Sequence, residues 1–468
     1  MQSRQHSIDM IHGPLWNKIL LFALPLVASG MLQLLFNAAD VVVVGRFAGK
    51  EALAAVGSNT SLINLLVNLF VGLSVGTNVV VARDLGAGQE DAVRRSVHNS
   101  ITLALVSGII MLVFGVAIVR QLLVWMLVPA EVLDLSVVYL RIYFLGMPAT
   151  MLYNFGAAIL RAQGDTTRPL FYLSMAGVVN VGLNLFFVIK LGMDVDGVAI
   201  ATVVSQYISA FLVLRCLTKE TGPLKLDFRL LALRWDVVRR IFRVGLPAGL
   251  QSMVFSLSNV VIQSAINSFD DPAIVAGSAT SANIEGFVYT AMNAFYQTAL
   301  TFSGQNYGAG QVKRVTRVLL LCQAFSMTTG LVLGNLVYLF GRQFAGLYAP
   351  GEELVITQAV LRIGLICCPY FIAGFMDTMV GVLRGIGYSM GPMIISLVGA
   401  CGLRLVWVAT VFPLFRSPET LYISYPVTWI TTGLTHLVFF FLVRKRAYHK
   451  ALRFAPVPDA SASSPPAS

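Results

Sequence analysis

Twelve apolar runs leave this chain few folds to choose from. They lie at roughly 15–44, 52–82, 96–119, 132–160, 169–189, 197–217, 237–268, 273–303, 315–341, 354–383, 390–412 and 421–443. Runs of this length suit α-helices crossing a hydrocarbon core of about 30 Å, whereas the strands of a membrane barrel would alternate over about ten residues. Only 12% of the 468 residues are charged, about half the usual soluble share of ~25%. The chain therefore reads as an all-α polytopic membrane protein. Its first run is too long for a signal-peptide core and lacks a small-residue cleavage site, so it is expected to persist as the first helix.

The formal net charge of +11 would suggest nucleic acid in a soluble protein, but here placement decides its meaning. With both termini in the cytoplasm, about 24 Lys and Arg fall on cytoplasmic segments and about six on outer ones, as the positive-inside rule prefers. The basic clusters, among them Lys219 to Arg243 and Arg444-Lys445-Arg446, are expected to touch anionic lipid headgroups rather than nucleic acid. Cys216, Cys322, Cys367, Cys368 and Cys401 sit in or beside apolar runs without metal-ligand spacing, and read as packing residues.

The chain also repeats itself. Gly86-Ala87-Gly88-Gln89 recurs as Gly308-Ala309-Gly310-Gln311, and the same offset carries Pro25 onto Pro247 and Asn37 onto Asn259. A second match takes Leu160, Arg161, Gly164 and Pro169 onto Leu383, Arg384, Gly387 and Pro392. Six spans per unit, an even number, make the repeats parallel about an axis along the membrane normal, as in transporters that rock around a central site. The expected organisation is an amino-terminal lobe at 1–218, a cytoplasmic linker at 219–236, a carboxy-terminal lobe at 237–446 and a disordered tail at 447–468. The Gly-Ala-Gly-Gln turns lack the Lys-Ser or Lys-Thr pair of a phosphate loop, and their glycines are expected to close helices in the left-handed conformation. With no ATPase module, uphill transport would draw on an ion gradient.

Gln33, Asn37 and Asp40 recur at helical spacing inside the first run, so all three share one face. An Asp at membrane depth costs roughly 2.5–3.5 kcal/mol on insertion scales, which makes Asp40 a functional candidate; an Asp held by neighbouring amides is its bland alternative. Glu285 lies midway along the eighth run with Ser278, Ser281, Tyr289, Met292 and Tyr296 on about the same face. Asp377 lies in the tenth, two turns before Arg384, and aligns with Asn154 of the first repeat, so only one half carries that acid. The alternatives are a Glu285 bonded to hydroxyls and an Asp377 paired with Arg384. Arg141, Arg362 and Arg404 are expected to snorkel, and His436 to be packed and hydrogen bonded. Asn64 and Asn68, and Ser252, Ser256, Asn259 and Gln263, form polar stripes that either line a cleft or join helices. Phe36, Met151, Tyr153, Tyr289, Met292, Tyr296 and Met376 suit an adaptable apolar substrate pocket.

Several of these features together resemble the multidrug and toxic compound extrusion (MATE) family of cation-coupled efflux transporters. They are Asp40 with Gly45 and Ala52-Leu53-Ala54-Ala55-Val56-Gly57, the Gln305-Asn306-Tyr307-Gly308-Ala309 turn, and the paired Leu-Arg-x-x-Gly segments at 160 and 383. The resemblance spans about Pro14 to Arg446. It implies two six-helix lobes in a V, a cleft between them, and exchange of sodium or protons for organic, often cationic, drugs across the bacterial inner membrane. It also implies coupling at Asp40, with Asn37 on the same helix face and Asn180 and Asn184 standing where the family usually pairs an Asn with an Asp. An amide supplies a carbonyl oxygen but does not titrate, so Asp40 would act by protonation or by holding sodium with Asn180. Glu285 and Asp377 are the coupling candidates of the second lobe. No cofactor is expected, and a monomer is. The rival reading is a lipid-linked saccharide flippase, which calls for a strongly cationic cavity; a membrane enzyme would need a nucleophile–base or metal cluster that the spacing does not offer.

Overall fold

Proline and glycine decide where the long apolar runs break. The structure, a computed structural model, describes residues 7–48, 50–126 and 128–452; the side chains of residues 48, 50–62, 64 and 65, Asn64 among them, lie outside the description. The first half holds α1 (Leu15–Val43), α2 (Lys50–Gly86), α3 (Glu90–Trp125), α4 (Ala130–Leu145), α5 (Met147–Gln163), α6 (Thr167–Leu185) and α7 (Val195–Lys219). The second holds α8 (Trp235–Asn267), α9 (Pro272–Gly308), α10 (Val312–Leu339), α11 (Gly341–Tyr348), α12 (Glu353–Cys367), α13 (Tyr370–Gly385), α14 (Met390–Ser396), α15 (Leu403–Leu414) and α16 (Pro418–Leu452).

Nine of the described helices are long and apolar enough to span a membrane alone. Two further spans are bent pairs, α4 with α5 at 45° and α12 with α13 at 46°. Each bend coincides with a proline, Pro148 in the first turn of α5 and Pro369 before α13, where the missing N–H interrupts the ladder least expensively. The twelfth span is α9, too polar to register by hydropathy, and clasped by α2, α10, α12 and α13 so that protein rather than lipid surrounds it. The expected twelve-span fold is therefore present. Three π-helical stretches, Val44–Ala48, Phe186–Lys190 and Leu397–Gly402, interrupt spans that the sequence suggests are regular.

The linker between the halves is pinned to α3, the Asp227 amide donating to His98 Nε2 at 3.1 Å. Residues 447–452, expected in the tail, continue α16, and the remainder of that tail lies outside the described residues.

The two halves meet where small residues let backbones touch. A Cβ on Gly72 of α2 would lie 2.3 Å from the Gly249 Cα of α8. At the repeated turns the contact is reciprocal: a Cβ on Gly86 would lie 2.0 Å from the Gln305 carbonyl oxygen, and one on Gly308 2.2 Å from that of Arg83. Gly88 and Gly310 close the paired helices at φ +67° and +70°, as the motif predicts. Polar contacts reinforce this end. Arg240 Nη1 bonds Asp84 Oδ1 at 2.9 Å, Arg83 Nε donates to the Gly385 carbonyl at 3.0 Å, and Thr301 Oγ1 donates to Asn78 Oδ1 at 3.0 Å.

This close approach predicts that Gly86→Val destabilises the protein by about 2 kcal/mol or more, because rigid backbone faces the new methyl groups. Gly182→Ala, with open space beside it, should leave thermal unfolding in detergent within about 0.5 kcal/mol of the parent.

Candidate functional site

Two sites hold most of the charged and amide side chains singled out from the sequence, one in each half. In the first, the helical spacing of α6 stacks Asn180 and Asn184 one turn apart, facing the end of α1. Asn184 Nδ2 donates to Asp40 Oδ1 at 2.5 Å and to Asn180 Oδ1 at 3.4 Å, and Asn180 Nδ2 donates to Thr202 Oγ1 at 3.4 Å. Asn180 and Asn184 are buried, and the Asn184 Oδ1 has no partner. Asp40 is half-buried and pairs with no basic residue among the described ones. The site thus combines one uncompensated carboxylate with a ladder of neutral oxygens, which can accept a proton or offer oxygens to a small cation.

Tyr139 and Tyr143 of α4 lie within electrostatic reach of Asp40. Their only signal in the sequence is the spacing of Tyr139 and Tyr143, one helical turn apart. Asn37 stays exposed with no bond to Asp40 among the described contacts. Phe36 packs its ring against Gly177 of α6, where a Cβ would lie 1.9 Å from the ring, so it closes the α1–α6 interface.

The second place is a cavity of about 680 Å³ enclosed mainly by α8, α9, α12, α13 and α16, with Asn68, Gly72 and Val75 of α2 on its near wall. Of the expected substrate residues, Tyr289, Tyr296 and Met376 line it. Met292 does not: it is packed in the apolar core with Ile284, Val288 and Tyr370. Met151 and Tyr153 do not reach it either. Met151 is sealed in a core with Leu73, Phe155 and Ile241, and the Tyr153 hydroxyl donates to the Pro169 carbonyl at 3.2 Å.

Glu285 is not a free acid. Its Oε1 accepts from Arg362 Nε at 2.9 Å, its Oε2 from Arg362 Nη2 at 3.2 Å, and Ser281 Oγ donates to Oε1 at 2.6 Å. Arg362 also bonds Ser278 and is 7% exposed, so the expectation that it snorkels is corrected. The fork of the guanidinium matches the carboxylate, and the serines complete the hydrogen bonding. Glu285 is therefore ion-paired, with both carboxylate oxygens bonded to Arg362.

Asp377 faces the cavity half-buried, and no described residue forms an ion pair with it. Arg384 turns instead to Tyr296, whose hydroxyl oxygen accepts at 2.5 Å, and to Gln251 Oε1 at 2.8 Å. Arg404 is 2% exposed, again contrary to the snorkelling expectation, and rests on Tyr425 with its guanidinium carbon 3.9 Å from the ring centre. His436 is buried, its Nε2 3.1 Å from Ser396 Oγ, as expected. Of the polar stripes, Asn68, Ser252, Ser256, Asn259 and Gln263 all line the cavity.

A doubled helical bundle with charges at membrane depth and an internal cavity is the build of a membrane transporter. A family profile described as MatE matches residues 25–186 and again 247–410. The chain belongs to that family, the multidrug and toxic compound extrusion transporters. It is 28% identical over 432 residues to a probable multidrug resistance protein, YoeA, of Bacillus subtilis, covering 90% of this chain and 92% of that one. It is 23% identical to a FAD transporter of Shewanella oneidensis, covering 91% and 94%. The fold matches a crystal structure of MATE in complex with MaL6 at TM-score 0.88 and 20% identity, covering 94% and 98%.

The Arg362–Glu285 pair predicts that Arg362→Met alone lowers stability by about 3–5 kcal/mol, since it strands a buried carboxylate. Arg362→Met with Glu285→Met should recover most of that loss in a thermal unfolding assay.

Proposed function

We propose that this chain is a secondary exporter of small organic compounds, exchanging them for protons or sodium ions across the bacterial inner membrane with both termini cytoplasmic. The observation that carries the reading is Asp40, a carboxylate within a membrane-spanning helix whose direct partner is a neutral amide. A group with no fixed countercharge is free to exchange one, and binding a proton or sodium changes the local charge by one unit. The orphaned Asn184 oxygen adds a ligand for a cation. Relatives named as a probable multidrug resistance protein and as a FAD transporter support the movement of organic compounds.

The cavity in the second half is the cargo site in this reading. The glycine seam closes the basic, cytoplasmic end, so the present conformation faces outward. Cargo entry from the cytoplasm requires that seam to open, and ion binding at Asp40 biases the halves back to the closed-seam state. One charge moving through 100 mV yields about 2.3 kcal/mol. Exchange of one proton for one monovalent cation is electroneutral and draws only on the concentration gradient of the ion.

Uptake of a fluorescent organic compound into inverted vesicles, under an imposed proton gradient and then a sodium gradient, tests the proposal. We expect one gradient to drive uptake by the parent, and Asp40→Asn to reduce that uptake at least tenfold while leaving equilibrium cargo binding within about twofold. Driven uptake that survives in the variant would move coupling to Asp377. Absence of driven uptake by the parent across several compounds would favour the flippase reading.

A further inference from the structure

Five charged side chains line the cavity of the second half: Glu285, Asp377, Arg362, Arg384 and Arg404. The bidentate bond between Arg362 and Glu285 cancels one charge of each sign. What remains is Arg384 and Arg404 against Asp377, an excess of one positive charge. Neither arginine has a carboxylate partner among the described residues. Arg404 is held by the Thr428 hydroxyl at 3.3 Å and by the face of Tyr425; Arg384 is held by Tyr296 and Gln251. The Nε of each is buried without a partner. A guanidinium whose hydrogen-bond partners at membrane depth are all neutral is incompletely compensated, and an acidic group is its natural counterpart. Beside the arginines stand the stacked Tyr370 and Trp429, ring centres 5.3 Å apart, and Tyr425, an apolar bed for a planar body.

We propose that this cavity takes an organic anion, an aromatic or amphipathic compound whose carboxylate, sulfonate or phosphate meets Arg404 and Arg384 while its body lies along Tyr370, Tyr425 and Trp429. This deepens the exporter reading and rests on it for the direction of transport. Asp377 then acts as the opposing charge: ionised, it weakens the hold on the anion; neutralised, it strengthens that hold. The energetics also change. One cation entering and one monovalent anion leaving moves two positive charges inward per cycle, so a negative interior drives both legs.

The test is equilibrium binding of 1-naphthalenesulfonate and 1-naphthylmethylammonium, an anion and a cation of matched skeleton, to the full chain in phosphatidylcholine nanodiscs. Binding needs no ion gradient, so it is readable whether or not driven transport is found. We expect the sulfonate to bind the parent at least tenfold more tightly than the ammonium. Arg404→Gln should weaken sulfonate binding about tenfold or more, and Arg404→Lys less. Asp377→Asn, which keeps the volume and leaves the arginines in place, should tighten it about threefold or more. Preference for the ammonium, with binding lost in Asp377→Asn, would overturn the proposal, as would sulfonate binding unchanged in both Arg404→Gln and Asp377→Asn. Displacement of the sulfonate by adding phosphatidylglycerol to the disc would assign the arginines to a lipid headgroup and equally overturn a cargo role.

Discussion

The contact of bare backbone between α2 and the helices α8 and α9 is the constraint from which the rest of the architecture follows. Gly72, Gly86 and Gly308 each leave no room for a Cβ against the opposing helix, so the halves approach to backbone distance from Gly72 to the helix ends at Gly86 and Gly308. In a membrane, where lipid competes equally for apolar side chains, such close van der Waals contact is a main source of helix association. It is also reversible in kind. A flat seam of small residues can part as a unit, whereas interlocked large side chains would have to repack. The Arg240–Asp84 and Asn78–Thr301 bonds add specificity to the seam without filling it.

The intramembrane charges divide according to how they are compensated. Glu285 and Arg362 neutralise each other and bind α9 to α12. Asp40 leans on an amide ladder, Asp377 faces an open cavity, and Arg384 and Arg404 rest on hydroxyls, an amide and aromatic faces. Groups left in this second condition are the ones able to respond to an arriving ion or molecule. The asymmetry between halves, an acid with amides in one and a cationic cavity in the other, fits a division between coupling and cargo.

Much of the fold was legible because hydrophobic run length and the doubled motifs report directly on spans and repeats. Even α9 was found, since its apolar residues, though diluted by polar ones, run for more than 30 Å of helix. The bends before α5 and α13 and the π-helical stretches were not read, because a proline states that a helix is interrupted without stating by how much. Asp40, Asn180 and Asn184 were read correctly as neighbours from the family pattern. The Glu285–Arg362 pair was not, since it joins positions 77 residues apart, and no periodicity within one helix reports what stands opposite. Arg404 looked like a snorkelling residue because its neighbours in sequence are apolar; Tyr425 and Thr428, which hold it, come from α16.

The measurement that tests alternating access most directly is a pulsed electron-spin distance between labels at Trp125→Cys and Leu347→Cys, in a background with the native cysteines replaced. Both sites are exposed, at 70% and 80% of their surface, and lie at the end away from the glycine seam, one on each half. Alternating access would give two distances: a longer one that dominates when coupling ion is bound, and a shorter one that grows as cargo is added at the seam end. A single distance, unchanged by ion or cargo, would contradict it.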